Sequence, residues 1–278
     1  MITLREAYRN SKETLSLVYE QSEATAVLNY LFENLFGKSS KDIMLHGDEV
    51  FERQLELEDV LFRLKNFEPI QHILGFEYFL GLKILVNSDV LIPRPETEEL
   101  VQWILEVEKG PIDVIADFCT GSGCLALAMR KNFPNAKIVA TDISEKAITM
   151  GKRSEQLNFN STTLQWKIHD LLNEDYSFEH PDIVVCNPPY IKIEERDAMG
   201  LNVLDYEPHL ALFVYDDDAL LFYKRVVQLF MEKEMPHIYF ELNPMTADEL
   251  AVWCIEKGFI CQFKNDLSGK KRFARISK

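Results

Sequence analysis

The chain has 278 residues, 47% of them hydrophobic, and a formal net charge of −15. That length and apolar share suffice for one large domain and a small one, while the acidic balance argues against a protein that grips duplex DNA or folded RNA along its phosphates. Five cysteines (Cys119, Cys124, Cys186, Cys254, Cys261) form no Cys-x-x-Cys pair and no disulfide ladder; with no charged-then-apolar start and no apolar run of membrane-spanning length, a soluble, reduced, cytoplasmic protein is expected.

Residues 1–75 read as helical throughout. Val27, Leu28, Leu31 and Leu35 recur at helical spacing, and Val50, Leu55, Leu61 and Leu64 lie in similarly amphipathic surroundings. Gly37-Lys38-Ser39-Ser40 marks a turn. No catalytic cluster falls here, so a small helical domain for recognition or support is expected. From Phe76 the pattern changes: Phe76-Glu77-Tyr78-Phe79 and Leu82-Lys83-Ile84-Leu85-Val86 flank Gly81 as a hairpin should. Ile92-Pro93-Arg94-Pro95 should run extended. Thr97 then stands where a cap belongs, ahead of a helix carrying Leu100, Val101, Ile104 and Leu105.

After Gly110-Pro111 strand and helix alternate. Residues 112–118, 137–142, 182–186 and 237–241 are short, apolar and β-branched, as strands buried on both faces must be. Helical stretches such as 125–131 and 219–231 lie between them. This rhythm predicts an α/β fold, a mostly parallel sheet with helices on both faces. Residues 259–263 and 272–276 flank Ser268-Gly269 and read as a closing hairpin.

The first strand runs into Asp117-Phe118-Cys119-Thr120-Gly121-Ser122-Gly123-Cys124. A glycine-bearing turn between strand and helix lets backbone amides approach a ligand, and ligands of doubly wound folds sit at this edge. The full Gly-x-Gly-x-x-Gly of a dinucleotide site is absent, because its third position is Ala126. The second strand ends at Asp142, about 20 residues beyond the glycines, where an acid accepts hydrogen bonds from ribose hydroxyls; Asp142 is equally placed to cap the helix that follows. Asp170, after the third strand, is either an acid at an adenine end of the site or an ordinary loop acid.

Asn187-Pro188-Pro189-Tyr190 follows the strand ending at Cys186, at the same edge. Two prolines fix the backbone and remove two donors, leaving free acceptors. The Asn187 carboxamide oxygen and the Pro188 carbonyl suit the two hydrogens of an NH2 group, and Tyr190 offers a flat face. An amide or exocyclic amino nitrogen has its lone pair delocalised and is a poor nucleophile. Holding it in line with a sulfonium methyl can contribute up to roughly 7–11 kcal/mol of the barrier reduction. No His, Lys or carboxylate lies within the tetrapeptide, so proton loss would follow methyl transfer. These residues point to a methyltransferase acting on a planar amide or amino nitrogen, without separating glutamine from a nucleobase.

Several segments together resemble the protein-(glutamine-N5) methyltransferases of peptide chain release factors. They are Glu68-Pro69-Ile70-Gln71-His72-Ile73-Leu74-Gly75, Val90-Leu91-Ile92-Pro93-Arg94-Pro95-Glu96-Thr97-Glu98-Glu99-Leu100, the loop from Asp117 to Gly123, Asp142-Ile143-Ser144, Asn187-Pro188-Pro189-Tyr190-Ile191, Glu207-Pro208 and Lys264-Asn265-Asp266-Leu267-Ser268-Gly269. The tetrapeptide is shared with adenine and cytosine amino-methyltransferases. The segment from Ile92 to Leu100 is more specific, and it differs in the related enzymes that methylate a ribosomal protein.

The resemblance implies a class I S-adenosylmethionine-dependent methyltransferase fold, Rossmann-like, over residues 93–278. It also implies a helical recognition domain over 1–75 and a connecting hairpin over 76–92. The implied substrate is the glutamine of the Gly-Gly-Gln motif in release factors, with S-adenosyl-L-methionine as cofactor and neither stable nucleic acid binding nor a membrane. By position, Cys119, Thr120, Gly121, Ser122 and Gly123 would cradle the methionine part of the cofactor, Asp142 the ribose, and Asp170 and Leu171 the adenine. Asn187 would touch cofactor and substrate, while Pro188, Pro189 and Tyr190 shape the glutamine pocket; Asn187, Pro188 and Tyr190 would be catalytic.

Two departures stand out: the family's first loop glycine is Cys119, and its Glu-Ile-Gly after the fifth strand is Glu241-Leu242-Asn243. Both are expected to leave the Asn-Pro-Pro-Tyr chemistry untouched. Two alternatives stay open, a nucleobase amino-methyltransferase and a non-catalytic module that binds a translation factor, the latter favoured only by Cys119. The six histidines are scattered, without paired ligand spacing, so no metal is expected.

Overall fold

A computed structural model describes residues 2–214, 218–231 and 234–278. The chain forms two compact units, one of residues 2–75 with Gly200–Tyr206 and one of 76–199 with 207–278.

In the first unit the helices α1 (Leu4–Leu15), α2 (Gln21–Phe36), α3 (Ser40–Leu45), α4 (Gln54–Lys65) and α5 (Ile70–Leu74) enclose their own core of Leu4, Leu15, Leu28, Leu31, Phe32 and Leu64. Each break has a local cause. Thr3 and Glu6 form a capping box at α1, Gly37 ends α2 in the left-handed region at φ 65°, and Ser39 with Asp42 caps α3. The unit is not helical throughout: β1 (Ile2–Thr3) pairs antiparallel with β2 (Val50–Phe51). Val50 and Leu55 are 54% and 83% exposed, so neither belongs to the apolar face expected of them. In this stretch Phe51 turns inward instead.

The second unit opens with the hairpin β3 (Phe76–Phe79) and β4 (Leu82–Leu85). Its two-residue turn has Leu80 at φ 48° and Gly81 at φ 74°, the pair of left-handed residues that matches strand twist. The hairpin is pinned to a later helix: Lys83 N–H donates to Asn158 Oδ1 and Leu85 N–H to Ser154 Oγ, both at 2.9 Å. Helix α6 (Pro95–Val107) begins with a proline at its first turn, where the missing N–H costs nothing. Arg94, not Thr97, occupies the cap position.

The sheet comprises β5 (Val114–Phe118), β6 (Lys137–Asp142), β7 (Gln165–Ile168), β8 (Ile183–Cys186), β11 (His237–Glu241), β12 (Ile260–Asn265) and β13 (Lys271–Ser277). Between β8 and β11 a short parallel pair, β9 (Ile191–Lys192) with β10 (Phe213–Val214), stands apart. The seven strands run in the order β12-β13-β11-β8-β5-β6-β7. The five from β11 to β7 are parallel, and β13 enters antiparallel between β11 and β12. This is the mostly parallel sheet with a closing hairpin that the sequence predicts, although the first strand starts two residues late, at Val114.

Successive residues point to opposite faces. Ile115, Ile183, Val185 and Tyr239 pack under α6, α7 (Cys124–Asn132) and α8 (Glu145–Phe159), while Ala116, Phe118, Val184, Cys186 and Phe240 pack under α11 (Leu221–Gln228) and α12 (Ala247–Lys257). Helix α11 is shorter than the predicted 219–231. Two further helical turns are α9 (Leu201–Leu204), in the first unit, and α10 (His209–Leu212). Among the described residues no helix is long and apolar enough to cross a membrane.

Candidate active site

Strands β8, β5, β6 and β7 lie side by side and parallel, so the loops after them meet at one edge. A cavity of about 450 Å³ opens there, within the range of small-ligand sites. Of the residues singled out in sequence, Cys119, Gly121, Asp142, Asp170, Leu171, Asn187 and Pro189 line it. Thr120 and Ser122 turn inward and are buried.

The loop after β5 bends through three left-handed residues, Cys119 at φ 56°, Gly121 at φ 53° and Gly123 at φ 83°. Thr120 N–H donates to the Thr141 carbonyl at 2.9 Å, and Gly121 N–H to Asp142 Oδ2 at 2.8 Å. Asp117, fully buried behind the loop, accepts from the Thr120 hydroxyl at 2.5 Å and from Ala126 N–H at 3.0 Å. Burial nevertheless pushes its carboxyl up to about 7.

Cys119 occupies a left-handed position, which is why the family's glycine suits it. Its thiol neighbours that of Cys186, the residue directly before Asn187, and burial, followed by the Cys119 thiol, pushes the Cys186 thiol well up. The departure therefore sits against the last residue of β8, one position before the tetrapeptide. Cys119→Gly should raise stability by up to about 1.5 kcal/mol, the difference between about 1–2 kcal/mol of left-handed strain and the 0.5–1 kcal/mol of chain freedom that glycine loses. Urea denaturation measures this, and a lowered midpoint would count against the strain.

Asp142 does not cap α8; Ser144 does, its hydroxyl accepting from Ala147 N–H. Asp142 spends one oxygen on Gly121 N–H and the other on Ser144 N–H, and burial pushes its carboxyl up. Asp170 accepts from Leu172 N–H at 3.0 Å and from the Asn173 side chain at 2.8 Å, which holds it below the usual carboxylate range. His169 also lines the wall; it is buried and faces Glu174 through Nδ1 at 3.1 Å. Ile143, Ala147 and Leu171 supply apolar surface. Acid acceptors beside apolar walls and a bent backbone loop fit a ligand that joins a sugar, a flat base and a charged tail.

Asn187 stands at the mouth, half-buried, with Nδ2 3.4 Å from the Thr97 hydroxyl. Tyr190 packs partly on the core beneath α11, and its phenol donates to Glu241 Oε1 at 3.4 Å. Burial, then the Glu241 charge, pushes that phenol up. Sequence reasoning missed three partners. Thr97 lies inside the first turn of α6 and donates to Glu241 Oε2 at 2.6 Å. Asn243 Nδ2 reaches the Tyr190 carbonyl at 3.4 Å, so the second departure abuts the tetrapeptide. Glu207 accepts from Arg94 Nη2 at 2.6 Å and from Ile92 N–H at 3.3 Å, tying the Ile-Pro-Arg-Pro segment to the Pro208 wall. Burial pushes Glu207 up against the pull of Arg94. No acid, hydroxyl or amide in these pairs is close in sequence to its partner, so spacing could not reveal them. Among the described residues no cluster could hold a metal ion.

A family model described as methyltransferase small domain matches residues 97–210, and one described as PrmC N-terminal domain matches residues 6–75. Among solved structures, the hMettl16 catalytic domain in complex with MAT2A 3′UTR hairpin 6 superposes with a TM-score of 0.57 at 14% identity, covering 80% of each chain. A methyltransferase from Pyrococcus furiosus superposes at 0.50 with 15% identity, covering 71% of this chain and 88% of that one. Fold and domain model together define a class I methyltransferase. A release factor glutamine methyltransferase of Flavobacterium psychrophilum is 37% identical over 278 residues, 95% of each chain. One of Bacteroides thetaiotaomicron is 40% identical over 245 residues, 86% of this chain and 87% of that one. The chain belongs to the release factor glutamine methyltransferase family.

Proposed function

We propose that the chain methylates the side-chain amide N5 of the glutamine in the Gly-Gly-Gln motif of peptide chain release factors, with S-adenosyl-L-methionine as donor. The observation that carries the reading is the Asn187-Pro188-Pro189-Tyr190 turn, whose Asn187 and Pro189 line the cavity, in a chain 37% identical along nearly its whole length to a relative named for that activity.

S-adenosylmethionine supplies, when bound, a methyl group on a sulfonium centre. Cys119, Thr120, Gly121, Ser122 and Gly123 hold its methionine end, Asp142 its ribose, and Asp170 with Leu171 its adenine. Asn187 Oδ1 and the Pro188 carbonyl accept the two hydrogens of the glutamine NH2, fixing the plane of the amide so that the nitrogen lone pair faces the donor. Tyr190 and Pro189 bound the slot. Residues 1–75 recognise the release factor, 76–92 connect, and 93–278 carry out methyl transfer. A site for translation factors belongs in the cytoplasm.

The test incubates the protein with labelled S-adenosylmethionine and either a release factor or its Gly-Gly-Gln variant with the glutamine changed to Ala. Label is expected in the first and absent from the second. Equal labelling, or label entering nucleic acid instead, would sink the reading.

A further inference from the structure

We propose that Thr97, held by Glu241, sets which end of the Asn187 carboxamide faces the substrate, making this pair positioning residues of the methyl transfer; the proposal rests on the functional reading above. Thr97 is 2% exposed, and its single proton goes to Glu241 Oε2 at 2.6 Å, a short bond to a buried carboxylate. Towards Asn187 the Thr97 oxygen therefore has only lone pairs to offer, and the group that meets it is Nδ2, at 3.4 Å.

An Asn side chain has a donor end and an acceptor end of nearly the same shape, so sterics alone do not choose between them. With Nδ2 turned to Thr97, Oδ1 points the other way, as an acceptor for a substrate NH2 requires. The reverse orientation would set Oδ1 against Thr97 Oγ1, two acceptors with no proton between them, and would turn an NH2 towards the substrate's own NH2. The 3.4 Å separation is long for a resting hydrogen bond, as catalytic contacts are before the substrate arrives.

Strand register explains how so remote a pair reaches the site. Strand β11 runs parallel to β8 with Phe240 opposite Cys186, so Glu241 emerges beside the tetrapeptide. Helix α6 packs over β11 and brings Thr97 to the same place. The second carboxylate oxygen, Oε1, accepts from the Tyr190 phenol. Both polar side chains of the tetrapeptide are thus referred to one buried acid.

The experiment compares Thr97→Val, which keeps the shape but removes the hydroxyl, with Thr97→Ser, which keeps the hydroxyl. For Thr97→Val we expect kcat on the release factor to fall roughly 10- to 10²-fold, with KM held within about twofold. Thr97→Ser should recover most of the rate. In an Asn187→Ala background Thr97→Val should cost nothing further, because the residue through which it acts is gone. Equal losses in Val and Ser variants, a loss confined to KM, or additive losses with Asn187→Ala would overturn the proposal.

If Thr97→Val does not fold, a neutron crystal structure of the deuterated wild type, which tells nitrogen from oxygen, decides. Asn187 Nδ2 within hydrogen-bond reach of Thr97 Oγ1 supports the proposal, and a carboxamide turned the other way defeats it. A wild type inactive on the release factor would defeat the functional reading alone, and the same neutron structure would then judge the orientation of Asn187 separately.

Discussion

Asn187→Ala should lower the single-turnover rate of methyl transfer to a release factor by about three orders of magnitude, equivalent to roughly 4 kcal/mol of barrier. The side chain lies at the carboxyl end of β8, half-buried at the mouth of the cavity, where the backbone on either side is fixed by Cys186 in the sheet and by two prolines. Ala removes one of the two acceptors that would orient the glutamine NH2 and leaves the other, the Pro188 carbonyl, in place. The nitrogen then keeps a contact but loses its plane, and alignment is the larger share of what this site offers. The fold should survive, since the lost bond to Thr97 is long and contributes no more than about 1 kcal/mol. Rapid-quench methylation with labelled donor, alongside a thermal melt, checks both halves. A rate within tenfold of wild type, in a protein that melts normally, would show that Asn187 is not the orienting acceptor.

How much of this was legible in the sequence depends on the range over which each feature is determined. Strands such as Lys137–Asp142 and His237–Glu241 could be read because burial on both faces demands continuous apolar, β-branched runs. The hairpin at Leu80-Gly81 could be read because its turn chemistry is local. Asn187-Pro188-Pro189-Tyr190 was legible for the same reason, its prolines and amide lying in one tetrapeptide. Thr97 reads as a cap because a hydroxyl at a helix start serves that role so often; its actual partner, Glu241, is 144 residues away and becomes a neighbour only through sheet register. Val50 reads as helical because one apolar residue in a short stretch does not distinguish the two periods. In sequence Cys119 and Asn243 are only changes of residue type, and the packing alone shows Cys119 beside Cys186 and Asn243 against the Tyr190 carbonyl.

The same limit hides the support beneath the loop after β5, where the largest loss of stability is expected. Glu155 is fully buried on α8 and makes no contact with the cavity. Its Oε1 accepts from Thr163 N–H at 2.6 Å, from Leu164 N–H at 3.0 Å and from the Arg130 guanidinium, while Oε2 accepts from Trp166 Nε1 at 2.7 Å. The Trp166 ring so fixed lies against two glycines: a Cβ on Gly151 would come within 2.3 Å of it, and one on Gly123 within 2.6 Å. Gly123 closes the loop after β5, so the loop rests on an indole that Glu155 holds in place. Glu155→Ala takes the carboxylate from a half-buried guanidinium that keeps Ser161, from a buried indole N–H and from two backbone amides at once, and should cost about 3 kcal/mol of unfolding free energy. Glu155→Gln should recover little, because its NH2 must face either the Trp166 donor or the amide and guanidinium donors opposite. Urea denaturation reads the loss, and affinity for S-adenosylmethionine reads its consequence, since a loosened Trp166 releases Gly123. Should Glu155→Ala cost less than about 1 kcal/mol, the scale of a single exchangeable hydrogen bond, the carboxylate would not be the anchor of this loop.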